Sequence, residues 1–160
     1  EAMYLVDKQD KQRTLDIVKA SSSLPYVSKI VTVDGIPMLD GGIVDSIPIL
    51  RAIETGHPTN VVVLTRNRGY RNTSKDYKIP RFIYKKYPRL RVALSRRVAV
   101  YNAQLDLIEH LENEGKIVGI RPIHPLEVDR IERDVTKLED LYEEGFEQGE
   151  LFCQQHWDKR

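Results

Sequence analysis

The spacing of apolar positions changes repeatedly along the first third of the chain, and each change predicts a new element. "TLDIVKA" (14–20) sets Leu15 and Val18 on one face of a helix end, closed by the polar run Ser21, Ser22, Ser23 and by Pro25. The short apolar runs "SKIVTV" and "IPML" then flank Asp34-Gly35. A two-residue type I′ turn needs positive φ at both central positions, which Asp-Gly supplies, so a hairpin is predicted. "SIPILRAIETG" predicts a short helix with Ser46 as its N-cap, Pro48 in its first turn, Ile49, Leu50 and Ile53 facing inward, and Gly56 as its stop. The continuous β-branched run "NVVVLT" (60–65) predicts a strand covered on both faces, in the middle of a sheet.

Further along, "SRRVAVYNAQLDLIEHLENEG" repeats Val98, Tyr101, Leu105, Ile108 and Leu111 at steps of three and four. A helix capped by Ser95 and ended by Gly115 follows from that spacing. "KIVGIRPI" (116–123) is a second strand of the buried type. A last helix is expected from about Leu126, with Val128, Ile131, Val135, Leu138 and Leu141 as its apolar stripe and acids opposite. The tail "FCQQHWDKR" has no clear pattern. Strands alternating with helices make the fold class α/β.

Composition narrows the chemistry. At 160 residues and 18.5 kDa the chain suits one ordinary domain. Forty-one per cent apolar and 31% charged residues describe a globular protein. No apolar run approaches the ~18 residues of a membrane span, and "EAMYLVDKQDKQR" holds no signal-peptide core. A cytoplasmic address, with room for contact at the membrane periphery, is therefore expected. Cys153 is the one cysteine, which excludes an internal disulfide and argues against a thiolate zinc site. His57, His110, His124 and His156 are scattered and read as surface or packing residues.

Charge is unevenly placed. Between Arg66 and Arg97 twelve Lys or Arg stand against the single acid Asp76, a net +11, leaving 13 basic and 23 acidic residues, or −10, elsewhere. Tyr70, Tyr77, Phe82, Tyr84 and Tyr87 interleave the cations, a composition suited to an anionic membrane surface or to nucleic acid.

A second Asp-Gly step, "LDGGIVDS" (39–46), differs from the hairpin turn. Asp40 follows a strand-like run, precedes Gly41 and Gly42, and leads into a helix, so its carboxylate sits at a strand end, where α/β folds keep reacting groups. The two glycines permit close approach and unusual backbone geometry. A carboxylate that takes a proton near neutral pH needs burial or a neighbouring like charge, which Asp45 is placed to supply. Spacing alone favours two successive turns. Asp34, Asp40 and Asp45 lack the spacing and the distal Glu of an EF-hand, so neither metal nor cofactor is expected.

The order "ASSSLP", strand-turn-strand, "LDGGIVDSIPI", helix and "NVVVLTR" resembles the C-terminal half of the patatin-like phospholipase domain, in a bacterial subgroup with a helical extension. The similarity runs from about Lys19 to Thr65, and "EVDRIERDVTKLEDLYEEGFEQGE" is similar to the subgroup's tail. The resemblance implies the C-terminal part of a three-layer α/β/α domain with a mainly parallel central sheet, incomplete over residues 1–125, followed by a helical extension over 126–160. It implies an enzyme, a lipid acyl hydrolase using a Ser-Asp dyad, with Asp40 as the base and Gly41 and Gly42 as its loop. No cofactor or histidine is needed. The family's "G-x-S-x-G" nucleophile elbow and glycine-rich oxyanion loop do not occur here. Gly145 and Gly149 enclose no serine, and Ser21, Ser22 and Ser23 lack flanking glycines. These residues are thus expected to be the C-terminal piece of a longer enzyme, inactive alone, whose partners are a lipid or ester substrate, the missing N-terminal half, and an anionic membrane surface met by residues 66–97. Nucleic acid is the less coherent partner for that stretch. The competing class is a non-enzymatic anion-binding module built on the same stretch.

Overall fold

The computed structural model describes residues 1–6, 9–74, 80, 82–128 and 132–156. They fall into two compact units, Glu1–Pro48 with Asn72–Gln104, and Ile49–Arg71 with Leu105–Arg160.

In the first unit, helix α1 (Lys11–Ser21) begins at Asp10, whose carboxylate accepts from the N–H groups of Gln12 and Arg13. Such a cap satisfies donors that the first helical turn leaves open and is worth about 1 kcal/mol. Leu15 and Val18, which share one face of the helix, are exposed; α1 packs on the next strand, and Ala20 is its buried residue. Strands β1 (Val31–Val33) and β2 (Ile36–Met38) pair antiparallel with Val33 opposite Ile36. Between them Asp34 and Gly35 have φ of 51° and 79°, the two-residue I′ hairpin expected from the dipeptide. The Arg13 guanidinium holds the turn from outside, with Nη2 2.6 Å from Asp34 Oδ2. A single 3-10 turn (Gly41–Ile43) follows and buries Ile43.

Helix α3 (Pro88–Asn113), whose residues to Gln104 lie in this unit, starts at Pro88 and not at Ser95. Proline at the first helical position gives up an N–H that would have no partner there anyway. Ser95 lies inside the helix, its hydroxyl donating to the Val92 carbonyl.

In the second unit, α2 (Ile49–Glu54) buries Ile49 but leaves Leu50 and Ile53 exposed, against expectation. Ser46 does not cap it; that hydroxyl donates to the Gly42 carbonyl. Gly56, at φ 90°, ends the helix as expected, with its own N–H on Ile53 O and that of His57 on Ala52 O. Strand β3 (Asn60–Val63) pairs in parallel with β4 (Ile117–Ile120), in register from Asn60 opposite Ile117 to Val63 opposite Ile120. Val62 and Leu64 are buried while Val61 is exposed and Val63 is 73% exposed. One face of β3 is therefore covered, not both.

Leu105, Ile108 and Leu111 from the end of α3 join Ile49, Val62, Leu64 and Ile117 as the buried core of this unit. Gly115, at φ 69°, closes α3 with the same pair of bonds seen after α2, Gly115 N–H to Glu112 O and Lys116 N–H to Leu111 O. Helix α4 (Val135–His156) begins at an Asp134 cap, later than expected, and packs on β4. Leu126 and Val128 lie in irregular chain before it, and Ile131 lies outside the described residues. No described residue of α4 is buried; Val135, Leu138, Tyr142 and Phe146 are exposed. The first part of the tail, to His156, is the end of this helix.

The elements are mixed α/β. The two two-stranded sheets, one antiparallel and one parallel, do not amount to the mainly parallel, three-layer sheet that the resemblance implies. Among the described residues no helix is long and apolar enough to cross a membrane.

Candidate functional site

The hairpin ends two residues before Asp40 and so fixes where that residue emerges. The Asp40 N–H donates to the Ser23 carbonyl at 2.9 Å, joining the end of the "SSS" run to the second Asp-Gly step. Asp40 then caps the 3-10 turn: its Oδ1 accepts from the Gly42 N–H at 2.7 Å. Its other oxygen, Oδ2, accepts no hydrogen bond from a described residue, and no described cation pairs with it.

Gly42 matters here through space rather than backbone freedom. Neither Gly41 nor Gly42 has a positive φ, which corrects the expectation of unusual geometry. A Cβ built on Gly42 would lie 3.0 Å from Asp40 Oδ1, whereas one on Gly41 meets nothing within 4 Å. The Gly41 carbonyl accepts from the N–H groups of Val44 and Asp45, and the Gly42 carbonyl from the Ser46 hydroxyl, so residues 40–46 form a compact loop.

Asp45 is held by two neutral donors, the Tyr4 hydroxyl on Oδ2 and the Gln104 side-chain amide on Oδ1. The oxygen of that same amide accepts from the Ile47 N–H at 3.2 Å, and Arg97 Nε donates to the Gly42 carbonyl at 3.0 Å. Tyr4, Arg97 and Gln104 were invisible as site residues in the sequence. Gln104 left one trace: a polar residue on the helix face that carries Tyr101, Leu105, Ile108 and Leu111.

Asp40 and Gly41 lie in the wall of a cavity of about 460 Å³, with Ile17, Met38, Leu39 and Leu90 among its apolar lining. Ser21 lines the same cavity, while the hydroxyls of Ser22 and Ser23 donate to the Val18 and Lys19 carbonyls. No hydrogen bond joins Ser21 to Asp40 among the described residues. Glu1 and Arg89 lie in the lining as well, and a mainly apolar wall that carries Asp40 suits a substrate with a sizeable apolar part whose reacting group needs a proton acceptor. No group of three or more His, Cys, Asp or Glu among the described residues is arranged to hold a metal ion.

Several cations of the basic stretch are engaged internally. Arg71 bonds both Asp106 and Glu109, Arg68 reaches the Asn113 side chain, and the Arg66 guanidinium lies 5.0 Å from the Tyr70 ring centre. The Arg71 guanidinium, helped by the Gly69 N–H, holds the Glu109 carboxyl below the usual carboxylate range against its burial. Tyr84 accepts from the Tyr26 N–H, and burial next to Tyr84 pushes the Tyr26 hydroxyl upward. Phe82 is 78% exposed, and Lys85 and Lys86 are exposed beside it. Tyr77, together with residues 75–79 and 81, lies outside the described residues.

Two protein families match this chain. Residues 3–53 match the patatin-like phospholipase family and residues 87–158 match DUF6363, a domain of unknown function. A protein of Escherichia coli (strain K12) described as uncharacterized protein YjjU is 45% identical over 56 residues, which cover 34% of this chain and 16% of that protein. The matched stretch thus spans about a sixth of the relative's length. No solved structure matches.

Proposed function

From a chain whose residues 3–53 are a patatin-like phospholipase region, followed by a domain of unknown function, we propose a lipid acyl hydrolase in which Asp40 is the general base of a Ser-Asp dyad. The serine comes from a part of the same domain outside these residues, where the strands described here join a mainly parallel central sheet. One observation carries the reading. Asp40 anchors one carboxylate oxygen on the Gly42 N–H, leaves the other without a described partner, and lines an apolar cavity.

The chemistry needs that division of labour. As the serine attacks an ester carbonyl, the open oxygen takes the hydroxyl proton and later returns it to the leaving alcohol; water then releases the acid. The bonded oxygen fixes the direction of the other, since a proton acceptor must stand within hydrogen-bond reach of the proton it takes. Gly42 allows this by keeping side-chain atoms away from Oδ1. The exposed Phe82 with Lys85 and Lys86 supports contact with an anionic bilayer at the membrane periphery, on the cytoplasmic side.

In the full-length protein, Asp40→Asn removes the base while keeping an acceptor for the Gly42 N–H. Turnover of a chromogenic ester should fall to background with the thermal midpoint kept. Retained turnover would falsify the role of Asp40. Sedimentation with anionic and neutral vesicles tests the membrane contact, and equal binding to both removes it.

A further inference from the structure

Helix α3 begins almost where the domain of unknown function begins, at residue 87, yet its residues up to Gln104 reach the Asp40 loop. Arg97 donates to the Gly42 carbonyl, and the Gln104 side chain takes the loop at two further points, the Asp45 carboxylate and the Ile47 N–H. Arg89, Leu90 and Ala93 of the same helix line the cavity that Asp40 lines. We propose that Arg97 and Gln104 are positioning residues for Asp40, so that the domain of unknown function completes the active site of the hydrolase region. This inference rests on the catalytic reading of Asp40.

The path from helix to carboxylate is short. Gly42 carries both ends of it: its carbonyl receives Arg97 and its N–H holds Asp40 Oδ1. Fixing the carbonyl fixes the residue, and so the direction from which its N–H meets the carboxylate. Gln104 does the same for the far end of the loop. Its amide must offer N–H to a carboxylate and oxygen to an N–H, so one orientation alone satisfies both neighbours. Besides these points the loop is tied by the Asp40 N–H on Ser23 O and the Tyr4 hydroxyl on Asp45, and otherwise by its own turns, Val44 and Asp45 N–H on Gly41 O and Ser46 on Gly42 O. Such turns shape a loop but do not place it against a cavity wall.

A folding role alone is a poor account of Arg97. Its side chain is exposed, so water competes for the hydrogen bond to the Gly42 carbonyl and screens the charge, and the contact adds little to stability. Its worth lies in geometry, because a displacement of about 1 Å at a reacting group can cost on the order of 100-fold in rate.

The test uses the full-length enzyme and a chromogenic ester. Arg97→Ala and Gln104→Leu should each lower kcat about 10- to 100-fold with KM little changed, while the thermal midpoint moves by no more than a few degrees. Arg97→Lys, which keeps a donor and the charge, should recover part of the loss. Arg96→Ala, on the same helix but with no hydrogen bond to the loop among the described residues, is the control and should stay at wild-type rates. Unchanged kcat in both Arg97→Ala and Gln104→Leu overturns the positioning role. So does a kcat loss that appears only with a matching fall in thermal midpoint, since that is a folding effect. Should Gln104→Leu fail to fold, Gln104→Glu replaces it: it is isosteric and sets a carboxylate against Asp45, so unchanged kcat there also overturns the idea. Asp40→Asn separates the two levels. If that variant keeps its activity the dyad itself is wrong; if it is inactive while the α3 variants are fully active, only the positioning is wrong.

Discussion

Gly42→Ala sets activity against stability at one methyl group. The added Cβ would stand 3.0 Å from Asp40 Oδ1 and 3.7 Å from Ser46 Oγ. Only the first contact is tight, so the carboxylate must give by a few tenths of an ångström. Because Gly42 lies outside the positive-φ region, alanine takes its backbone without strain. Replacing glycine at such a position stabilises by about 0.4 to 1 kcal/mol through the unfolded chain. Loosening the Asp40 to Gly42 hydrogen bond costs about 0.5 to 1.5 kcal/mol. The two nearly cancel, and the unfolding free energy should change by less than about 1 kcal/mol. Activity has no such compensation. A shift of a few tenths of an ångström, scaled from about 100-fold per ångström, predicts a fall in kcat of about 3- to 10-fold. Urea unfolding and ester hydrolysis by the full-length enzyme measure the two quantities. A loss of more than 2 kcal/mol would mean that the loop is not built as described. Unchanged kcat would mean that Asp40 Oδ1 is not near the reacting centre.

Three further outcomes concern the second unit. Gly119→Ala would press a Cβ into Glu112 Oε1 and bring it within 2.8 Å of Arg121 Nη2. The two side chains form an ion pair with exposures of only 13% and 10%, so displacing it should cost about 3 kcal/mol in urea unfolding, and a change below 0.5 kcal/mol would refute this packing. Ile108→Ala, at a fully buried position, should cost 2 to 5 kcal/mol by the same measurement, and a smaller loss would show that the site collapses around the cavity. The Glu109 carboxyl, held down chiefly by its hydrogen bond to Arg71, contributes stability that is complete above the ordinary carboxyl value of 4.5 and is lost as pH falls through its lowered folded value. The thermal midpoint should therefore drop below about pH 5, less steeply in Glu109→Gln, and identical acid slopes would refute the pairing.

Features encoded by single residues with a stereochemical demand were legible in the sequence. Asp34-Gly35 required a I′ turn because both positions need positive φ, and both have it. Gly56 and Gly115 ended helices for the same reason. Elements whose limits depend on competition between partners were harder to read. Ser46 and Ser95 both satisfy the rule for an N-cap, yet each hydroxyl donates to a nearby carbonyl instead, a choice open to any serine near a helical turn. Pro88 decided where α3 starts. Burial was least legible, because periodicity reports that a face is apolar but not what covers it: Leu15, Val18, Val61 and Val63 fit their patterns and are exposed.

The candidate site divides along the same line. Asp40 could be singled out because its glycines and its place after a strand are local, and the residues it bonds, Ser23 and Gly42, lie near it in the chain or in the motif preceding it. Arg97 and Gln104 lie 55 and 57 residues beyond their loop partners Gly42 and Ile47. Nothing in the periodicity of α3 distinguishes Arg97 from Arg96, which sits one step around the helix and makes no hydrogen bond or ion pair with the loop among the described residues. The difference is made only in the folded chain, where Arg97 meets the Gly42 carbonyl, which explains why a helix that reads as an ordinary amphipathic element can carry residues that aim a carboxylate.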